Sequence, residues 1–446
     1  MSAGPAETRG APGEALRMAS RGAEASNRRG RISAAIALAG LLGAAALASS
    51  ARLESATPSA RCKRCGWAPP ETKMTHTASS VEELRKLLGQ ASPDTTILLE
   101  DGKYVLDRML DIARSDIVLC GKSGDPTKVV LCGDGMLEKK VGVAISISAP
   151  RVTIADLTAA NVGYHGVQVR GEKGASGTVL HNIRILDTGQ QLLKGSTGKA
   201  DVHADDCVVA CSYLGFTDSA PGSYTNGVDV LAGKGWHVRD NEIVNIRGPR
   251  EKGWKAGPAI LFWANSMDTV VERNLIRDCF RGIAFGLGPG ASKLRRGGEQ
   301  DFDHQGGVIR NNVVLNLNPW ADEGIEANAA RDVRIQHNTV LVEGACNWSI
   351  GVRFKSSSGA VQNNLTSRNI LFRNGGKAAL EGNVAPCARD WFVEAEKGNL
   401  RLARGDSAAI DAGVPLPGLE ADFDGQPRVS GARPDAGAFE HVKRKD

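Results

Sequence analysis

The feature that most constrains this chain is a short pattern that recurs between about residue 143 and residue 385. In each copy an apolar residue is followed three positions later by an Asn, and further apolar residues come next. The copies are Val179/Asn182, Val238/Asn241, Val271/Asn274, Ile309/Asn312, Ile335/Asn338 and Val361/Asn364, with Val208/Cys211 in the one gap. Successive copies lie 26 to 38 residues apart, which is the repeat length of a solenoid protein.

A second pattern alternates with the first and consists of a small residue, Ile or Val, any residue and an apolar residue. Its copies are GVQV at 166–169, GVDV at 227–230, AILF at 259–262, GIAF at 282–285, GIEA at 324–327 and GVRF at 351–354. Apolar residues two apart indicate short strands, since helices would need a spacing near 3.6. Such strands are unstable alone, but stacked coils pair their backbones at about 4.8 Å. The repeats therefore predict a parallel β-helix.

The recurring Asn predicts a ladder of side chains inside the stack. We expect its rungs to hydrogen-bond to their counterparts one coil away; they are Asn241, Asn274, Asn312, Asn338 and Asn364. Glycine accounts for 53 of the 446 residues and aromatic residues for only 5%, which suits tight turns around an aliphatic core. The longest interval, from Gly286 to Val308, predicts a loop that projects from the side.

The ends of the stack need cover, because a solenoid end exposes unpaired strands. Ser80 with Glu83 three residues later forms a capping box, and the apolar spacing that follows predicts a short amphipathic helix over residues 80–89. The predicted organisation is then an export signal or N-terminal anchor at 1–50, a linker at 51–78, the β-helix at 79–385 and a C-terminal closing segment at 386–446.

The N-terminal segment has the order of an export signal. Arg28, Arg29 and Arg31 precede an uncharged run from Ile32 to Ala48, and small residues follow. This run is short for a membrane span, which needs about 20 residues, but an uncleaved anchor is the alternative. We therefore predict an exported protein, located in the periplasm, outside the cell or at the cell surface. Contact with a membrane is predicted only through this segment, if it stays uncleaved.

Two further segments carry a family resemblance. TILLEDGKYVL follows the predicted helix, and DSAAIDAGVP and DFDGQPRVSGARPDAGAFE lie near the C-terminus. With them, residues 93–440 resemble the right-handed parallel β-helix, or pectin-lyase-like, superfamily, and in outline its secreted lyases of the chondroitinase B type. The resemblance implies an all-β, right-handed parallel β-helix solenoid with a short N-terminal capping helix. The superfamily holds lyases, hydrolases, epimerases and noncatalytic adhesins, so the fold alone does not fix the chemistry.

Candidate site residues come from stacking copies of the second pattern, which places their outward residues in columns. One predicted column is Gln168, Asp229, Leu261, Ala284, Glu326 and Arg353, and a second contains Leu231 and Trp263. The resemblance implies a substrate groove over this face. The candidate catalytic residues are Asp229, Lys234 and Arg281, and the candidate substrate-binding residues are Trp263, Glu326 and Arg353. Asp229 would hold a cation or a substrate carboxylate, Lys234 or Arg281 would move the proton, and Trp263 would stack on a sugar.

Plainer interpretations of the same residues stay open. Asp229 and Lys234 fit solvated strand and turn positions, and Glu326 with Arg353 in one column fits an ordinary cross-strand ion pair. The resemblance to chondroitinase-B-like enzymes makes calcium the candidate cofactor. No metal ligands are assigned, because the densest acidic cluster, Asp201 to Asp206 with His203, is equally typical of a polar turn.

The leading hypothesis is an exported lyase or related epimerase that acts on an acidic, uronate-containing polysaccharide. The alternative is a noncatalytic cell-surface or carbohydrate-binding β-helix. A glycoside hydrolase would need two carboxylates about 5 to 9.5 Å apart, and the predicted columns show no such pair. Lys and Arg exceed Asp and Glu by only five, so a nucleic-acid partner is not predicted.

Overall fold

The computed structural model describes residues 67–198, 201–298, 300–405 and 407–441. Its strands form three long sheets, which the chain visits in the repeating order sheet 1, sheet 2, sheet 3. Within each sheet a strand pairs in parallel with the strands one coil before and one coil after. This confirms the predicted parallel β-helix. The predicted export signal and residues 51–66 of the predicted linker lie outside the described residues.

The strand bounds follow this threefold order. Sheet 1 consists of Met74–Ala78, Thr95–Leu99, Ile117–Gly121, Thr153–Ala155, Val179–His181, Val208–Ala210, His237–Arg239, Val270–Glu272, Val308–Arg310, Val333–Gln336, Gly359–Gln362 and Ala379–Glu381. Sheet 2 consists of Gly102–Val105, Val129–Cys132, Thr158–Val162, Arg184–Thr188, Tyr213–Gly215, Glu242–Val244, Leu275–Arg277, Val313–Asn316, Thr339–Val342 and Leu365–Thr366. Sheet 3 consists of Leu110–Ile112, Val143–Ile147, His165–Arg170, Leu193–Ser196, Val228–Leu231, Pro258–Trp263, Arg281–Phe285, Ile325–Asn328, Trp348–Arg353 and Asn369–Arg373.

The N-terminal end of the stack begins earlier than predicted. Met74–Ala78 pairs in parallel with Thr95–Leu99, so these residues belong to the β-helix and the linker prediction is wrong for them. Their sequence, MTHTA, has few apolar residues because only Ala78 is buried. An α-helix, Val81–Gln90, follows; its N-cap Ser80 accepts a hydrogen bond from the Glu83 backbone, and its buried Leu84 and Leu88 join the main core.

The Asn ladder is confirmed and is longer than predicted. Each rung accepts hydrogen bonds from the backbone N–H and the amide group of the rung before it, at 2.9–3.1 Å, from Asn241 to Asn364. Asn383 adds a further rung. Asn182 and Cys211 were placed one residue out of register, since Val209 pairs with Val238 and Ser212 therefore occupies the level of Asn241. Both lie at the preceding corner, where φ is positive.

The C-terminal segment covers a flank of the stack, not only its end as predicted. Outward-facing Val313, Leu315 and Leu341 of sheet 2 form a second hydrophobic core with residues of this segment, among them Phe392, Leu400, Phe423 and Phe439. A two-stranded antiparallel sheet, Phe392–Glu394 with Asn399–Leu402, belongs to it. The outward apolar residues of sheet 2 explain the difference, because they need cover that an end cap would not provide.

The insertion between Gly286 and Val308 lies where the chain passes from sheet 3 to sheet 1. It contributes His304–Gln305 to a small lateral sheet, between Ser266–Met267 and Ala330–Arg331. Arg295 fixes the insertion through a buried ion pair with Asp303, at 2.8 Å. Within the described ranges, no helix has the length and apolar composition to cross a membrane.

Candidate active site

The outward face of sheet 3 carries a run of charged and aromatic side chains, in two columns. In the first column Lys194, Asp229, Leu261, Ala284, Glu326 and Gly351 are successive register partners. In the second column Leu231 pairs with Trp263, and Asn328 pairs with Arg353.

The prediction that Glu326 and Arg353 share a column is wrong by two residues. Glu326 is paired with Gly351, whereas Arg353 is paired with Asn328. The similarity of GVRF to GIEA suggested that Ile325 pairs with Val352, but its register partner is Ile350, two residues earlier. A shift of two residues keeps each side chain on the same face and changes its neighbour. The predicted Glu326–Arg353 ion pair is therefore replaced by one between Glu326 and Arg281, at 3.3 Å.

One cluster on this face joins three side chains from successive coils. The Asp229 carboxylate accepts a hydrogen bond from the Trp263 indole N–H at 2.8 Å and pairs with the Lys194 ammonium at 2.5 Å. Only 3% of the Asp229 side chain and 12% of the Lys194 side chain are exposed. Both carboxylate oxygens of Asp229 are therefore engaged within the protein.

The structure separates the three candidate catalytic residues. Lys234 lies beyond the end of its strand, where its backbone bridges to Met267 and donates a hydrogen bond to Asp205, and its side chain is exposed. Arg281 is the first residue of strand Arg281–Phe285 and contacts acidic residues of a later coil. Asp229 is thus brought together with Trp263, Arg281 is brought together with Glu326, and Lys234 lies at the lateral turn.

The second cluster on the face contains three carboxyl groups and two arginines. The Arg281 Nε atom lies 2.7 Å from Asp322 and 3.3 Å from Glu326. Glu326 also accepts a hydrogen bond from the Asn328 amide, at 2.6 Å. Glu323 pairs with Arg373 at 2.9 Å.

Burial makes two of these carboxyl groups unusually hard to ionise. Burial and the neighbouring Glu326 raise the pKa of Glu323 to about 8, although Arg373 opposes the shift. Burial also raises the pKa of Glu326, against the effect of Arg281. Two adjacent carboxyl groups of this kind titrate as a pair. Near neutral pH the pair therefore retains a proton.

The space around this pair is shaped by a glycine. A Cβ atom at Gly351 would lie 1.6 Å from Glu323 Oε1, so Glu323 occupies the room that a side chain at residue 351 would take. Arg373 lies over the Trp348 ring at 4.2 Å, and Arg353 lies over the Phe354 ring at 4.6 Å. Among the buried polar atoms of this region that lack a hydrogen-bond partner are Asn328 Oδ1, Arg353 Nε and Arg373 Nε.

Several members of these clusters were not predicted from the sequence, namely Lys194, Asp322, Glu323, Trp348 and Arg373. Glu323 and Asp322 precede the strand Ile325–Asn328, so they fell outside the columns. Lys194 and Arg373 lie on strands whose sequences, LKGS and NILFR, depart from the repeated pattern. Lys194 lies between Gln168 and Asp229, on a coil that the predicted column omitted. Arg373 is the register partner of Arg353, so extending the second column by one coil would have included it.

Calcium does not fit at Asp229 in this arrangement. The Lys194 ammonium at 2.5 Å already compensates the carboxylate charge, and calcium requires six to eight oxygen ligands. In the acidic segment 201–206, Asp201 contacts His203 at 3.0 Å and Asp205 pairs with Arg296. Across the described ranges, no group of three or more His, Cys, Asp or Glu side chains is arranged to hold a metal ion.

The architecture is that of a parallel β-helix. No protein-family model matches the chain, and no curated protein matches its sequence. Among solved structures, pectate lyase Pel9A is similar with a TM-score of 0.59 at 14% identity, over 83% of this chain and 97% of that one. An alginate lyase from Paenibacillus sp. strain FPU-7 gives 0.41 at 13% identity, over 70% and 99% of the two chains. A mannuronic acid specific polysaccharide family 6 lyase from human gut microbiota gives 0.39 at 15% identity, over 70% and 82%. These likenesses concern the fold, and the narrower resemblance to chondroitinase B is not shown.

Proposed function

We propose that this protein is an enzyme that acts on a uronate-containing polysaccharide, as an eliminative lyase or a related epimerase. The sugar chain would lie along the outward face of sheet 3. The observation that carries the proposal is the buried carboxyl pair Glu323 and Glu326, which forms ion pairs with Arg373 and Arg281, with Arg353 in the neighbouring column. The fold shared with a pectate lyase supports the same substrate class. Export from the cytoplasm is part of the proposal.

Elimination from a uronate needs a cation, a base and an acid. The C5–H bond breaks, its electrons form the C4=C5 double bond, and the C4–O bond breaks with a proton delivered to the leaving oxygen. A cation beside the substrate carboxylate stabilises the charge that develops next to C5. Arg353 suits this role, because its side chain is partly exposed on this face and guanidinium groups bind carboxylates with two parallel bonds.

The proton transfers are assigned to the carboxyl pair. The ionised member takes the C5 proton, and the protonated member gives its proton to the leaving oxygen. In an epimerase the second proton returns to C5 from the opposite face, and no bond between sugars breaks. A pair that shares one proton provides both groups at the same pH. Contacts with Glu326 and Asp322 raise the pKa of Arg281 despite its burial, so Arg281 would hold the pair and not act as a base.

A panel of uronate polymers tests the proposal. Polygalacturonate, alginate and chondroitin sulfate would each be incubated with the protein, and unsaturated products would be followed by ultraviolet absorbance. Deuterium uptake at C5 from heavy water would detect epimerisation. Absence of both signals on every polymer would contradict the proposal, and binding without either signal would favour the noncatalytic alternative.

A pair of variants localises the activity. Arg353→Ala removes the proposed carboxylate contact, which is a charged hydrogen bond worth about 1.5 to 3 kcal/mol. We therefore expect KM to rise roughly 10- to 150-fold. The matched control is Arg334→Ala, since Arg334 is an exposed arginine on sheet 1 and not on the proposed substrate face of sheet 3. Equal kinetics for the two variants would place the substrate elsewhere.

A further inference from the structure

We infer that Lys194, Asp229 and Trp263 form a separate sugar-binding subsite, in which Asp229 positions the Trp263 ring and does not transfer a proton. The subsite would hold a different sugar ring of the same polysaccharide chain from the one that reacts. The inference rests on the proposed function and makes it more specific, because it gives the enzyme a preference for long substrates.

The contacts within the cluster fix the orientation of the indole ring. Trp263 donates its N–H to Asp229 Oδ1, and the other oxygen of Asp229 is paired with Lys194. A buried carboxylate is tolerated only when its charge is compensated, and Lys194 provides the compensation. The indole N–H is satisfied within the protein, and the ring remains partly exposed. What it offers a ligand is therefore a rigid apolar surface, as sugar stacking requires.

The surroundings of the ring suit a sugar more than an ion. Leu231 is the register partner of Trp263 and is partly exposed, and Leu261 lies beside Asp229 in the neighbouring column. These apolar neighbours leave the ring face as the main recognition element. The charged groups that would recognise a carboxylate lie further along the sheet, at Arg353 and Arg373.

A position without a side chain lies between the ring and those arginines in the second column. Phe262 pairs with Phe285, which pairs with Ala327, so Gly286 lies between Trp263 and Asn328 in the second column. A Cβ atom at Gly286 would lie 2.0 Å from the Asn328 carbonyl oxygen, and its φ is +78°. The close contact and the positive φ both require glycine at this position. The column therefore runs from Trp263 to Asn328 and Arg353 over a position without a side chain.

The distance along the second column sets the spacing between the Trp263 ring and Arg353. Trp263 and Arg353 are three coils apart, which corresponds to about 14 Å at the spacing of paired strands. This separation exceeds the width of a single pyranose ring. A ring on Trp263 and a ring at Arg353 must then belong to different residues of one chain, and short oligosaccharides cannot occupy both positions.

Oligosaccharides of increasing length, prepared from whichever polymer is turned over, test the inference. The readout is the ratio of kcat/KM for a long oligomer to kcat/KM for a short one. We expect this ratio to fall at least tenfold in Trp263→Ala and in Asp229→Ala. Asp229→Asn keeps an oxygen for the indole N–H and should retain most of the ratio. Trp67→Ala is the control, since Trp67 stacks on His181 of sheet 1 and should leave the ratio as in the wild type.

The outcomes separate this inference from the proposed function. An unchanged ratio in Trp263→Ala, or an equal loss of kcat at every length in both Asp229 variants, would overturn the subsite. Trp263→Phe keeps a ring in place and guards against a folding defect in the alanine variant. If the wild type turns over no polymer, the proposed function fails, and calorimetric titration with oligomers of polygalacturonate, alginate and chondroitin sulfate decides the subsite. Affinity that rises with length in the wild type but not in Trp263→Ala would support it, and equal affinities or no binding would refute it.

Discussion

Glu323 and Gly351 exclude each other: the carboxyl group of one fills the space in which any side chain of the other would lie. A Cβ atom at residue 351 would stand 1.6 Å from Glu323 Oε1 and 3.2 Å from an Arg373 nitrogen. The position of a carboxyl group whose pKa is raised to about 8 therefore depends on a glycine one coil away. This relationship makes the proposed acid–base pair sensitive to a very small change.

Replacing Gly351 with Ala should displace Glu323 and uncouple it from Glu326. Acid–base catalysis by a positioned side chain contributes roughly 100- to 10,000-fold, so we expect kcat on the responsive polymer to fall about 100-fold. The matched control is Gly222→Ala, because a Cβ atom there meets no atom within 4 Å. Steady-state kinetics of both variants would decide, and full activity in Gly351→Ala would show that Glu323 takes no part.

The raised pKa of Glu323 predicts how stability and activity depend on pH. The folded-state value of about 8 lies above the ordinary 4.5, so the folded protein keeps a proton that the unfolded chain has already lost between these two values. This contribution to stability is complete below about pH 4.5 and is lost as the pH rises through about 8. Denaturant unfolding should show a smaller decline over this window in Glu323→Gln than in the wild type. Parallel curves for the two proteins would contradict the assignment.

The same titration should appear in catalysis. If protonated Glu323 is the acid, kcat should decrease as the pH rises above about 8. A profile of kcat measured from about pH 6 to about pH 10 would locate the decrease. A profile that stays flat across this range would remove Glu323 from the acid role.

Removing one rung of the Asn ladder should destabilise the fold. Asn274 is fully buried, receives hydrogen bonds from Asn241 and donates one to the Val238 carbonyl oxygen. Asn274→Ala leaves buried backbone groups without partners, at a cost of roughly 1 to 3 kcal/mol each. Asn369→Ala, at an exposed strand end, should change the free energy of unfolding by less than about 0.5 kcal/mol. Similar values for both variants would mean that the ladder contributes little.

Replacing only one member of the Lys194–Asp229 ion pair should lower the free energy of unfolding strongly. Lys194→Met leaves a buried carboxylate without its cation, which we expect to cost about 3 to 5 kcal/mol. Adding Asp229→Asn removes that charge and should restore part of the loss. The comparison is Lys122→Met, whose partner Glu100 is exposed, with an expected cost of at most about 1 kcal/mol. Chemical denaturation of the four proteins would test this, and an undiminished loss in the double variant would contradict it.

The repeats were predictable because they are a local property of the sequence. Each coil shows alternating apolar residues and an Asn at a corner, so the parallel β-helix and the ladder from Asn241 to Asn364 followed from spacing alone. The predicted register was wrong where the pattern was weak, because Asn182 and Cys211 were assigned to the ladder position although they lie one residue before it. The strand Met74–Ala78 went unnoticed because its pairing uses backbone atoms and buries only Ala78.

The sequence by itself determined the coil, its short alternating strands and the face on which Asp229, Trp263, Glu326 and Arg353 lie. It did so because side-chain alternation along a strand is fixed by the backbone. Only the tertiary structure decided which of these residues meet. Register between coils depends on turn lengths that vary from coil to coil, and a shift of two residues is invisible to alternation. That freedom placed Gly351 beside Glu326, brought Glu323 into the space above it, and left Lys194 as the partner of Asp229.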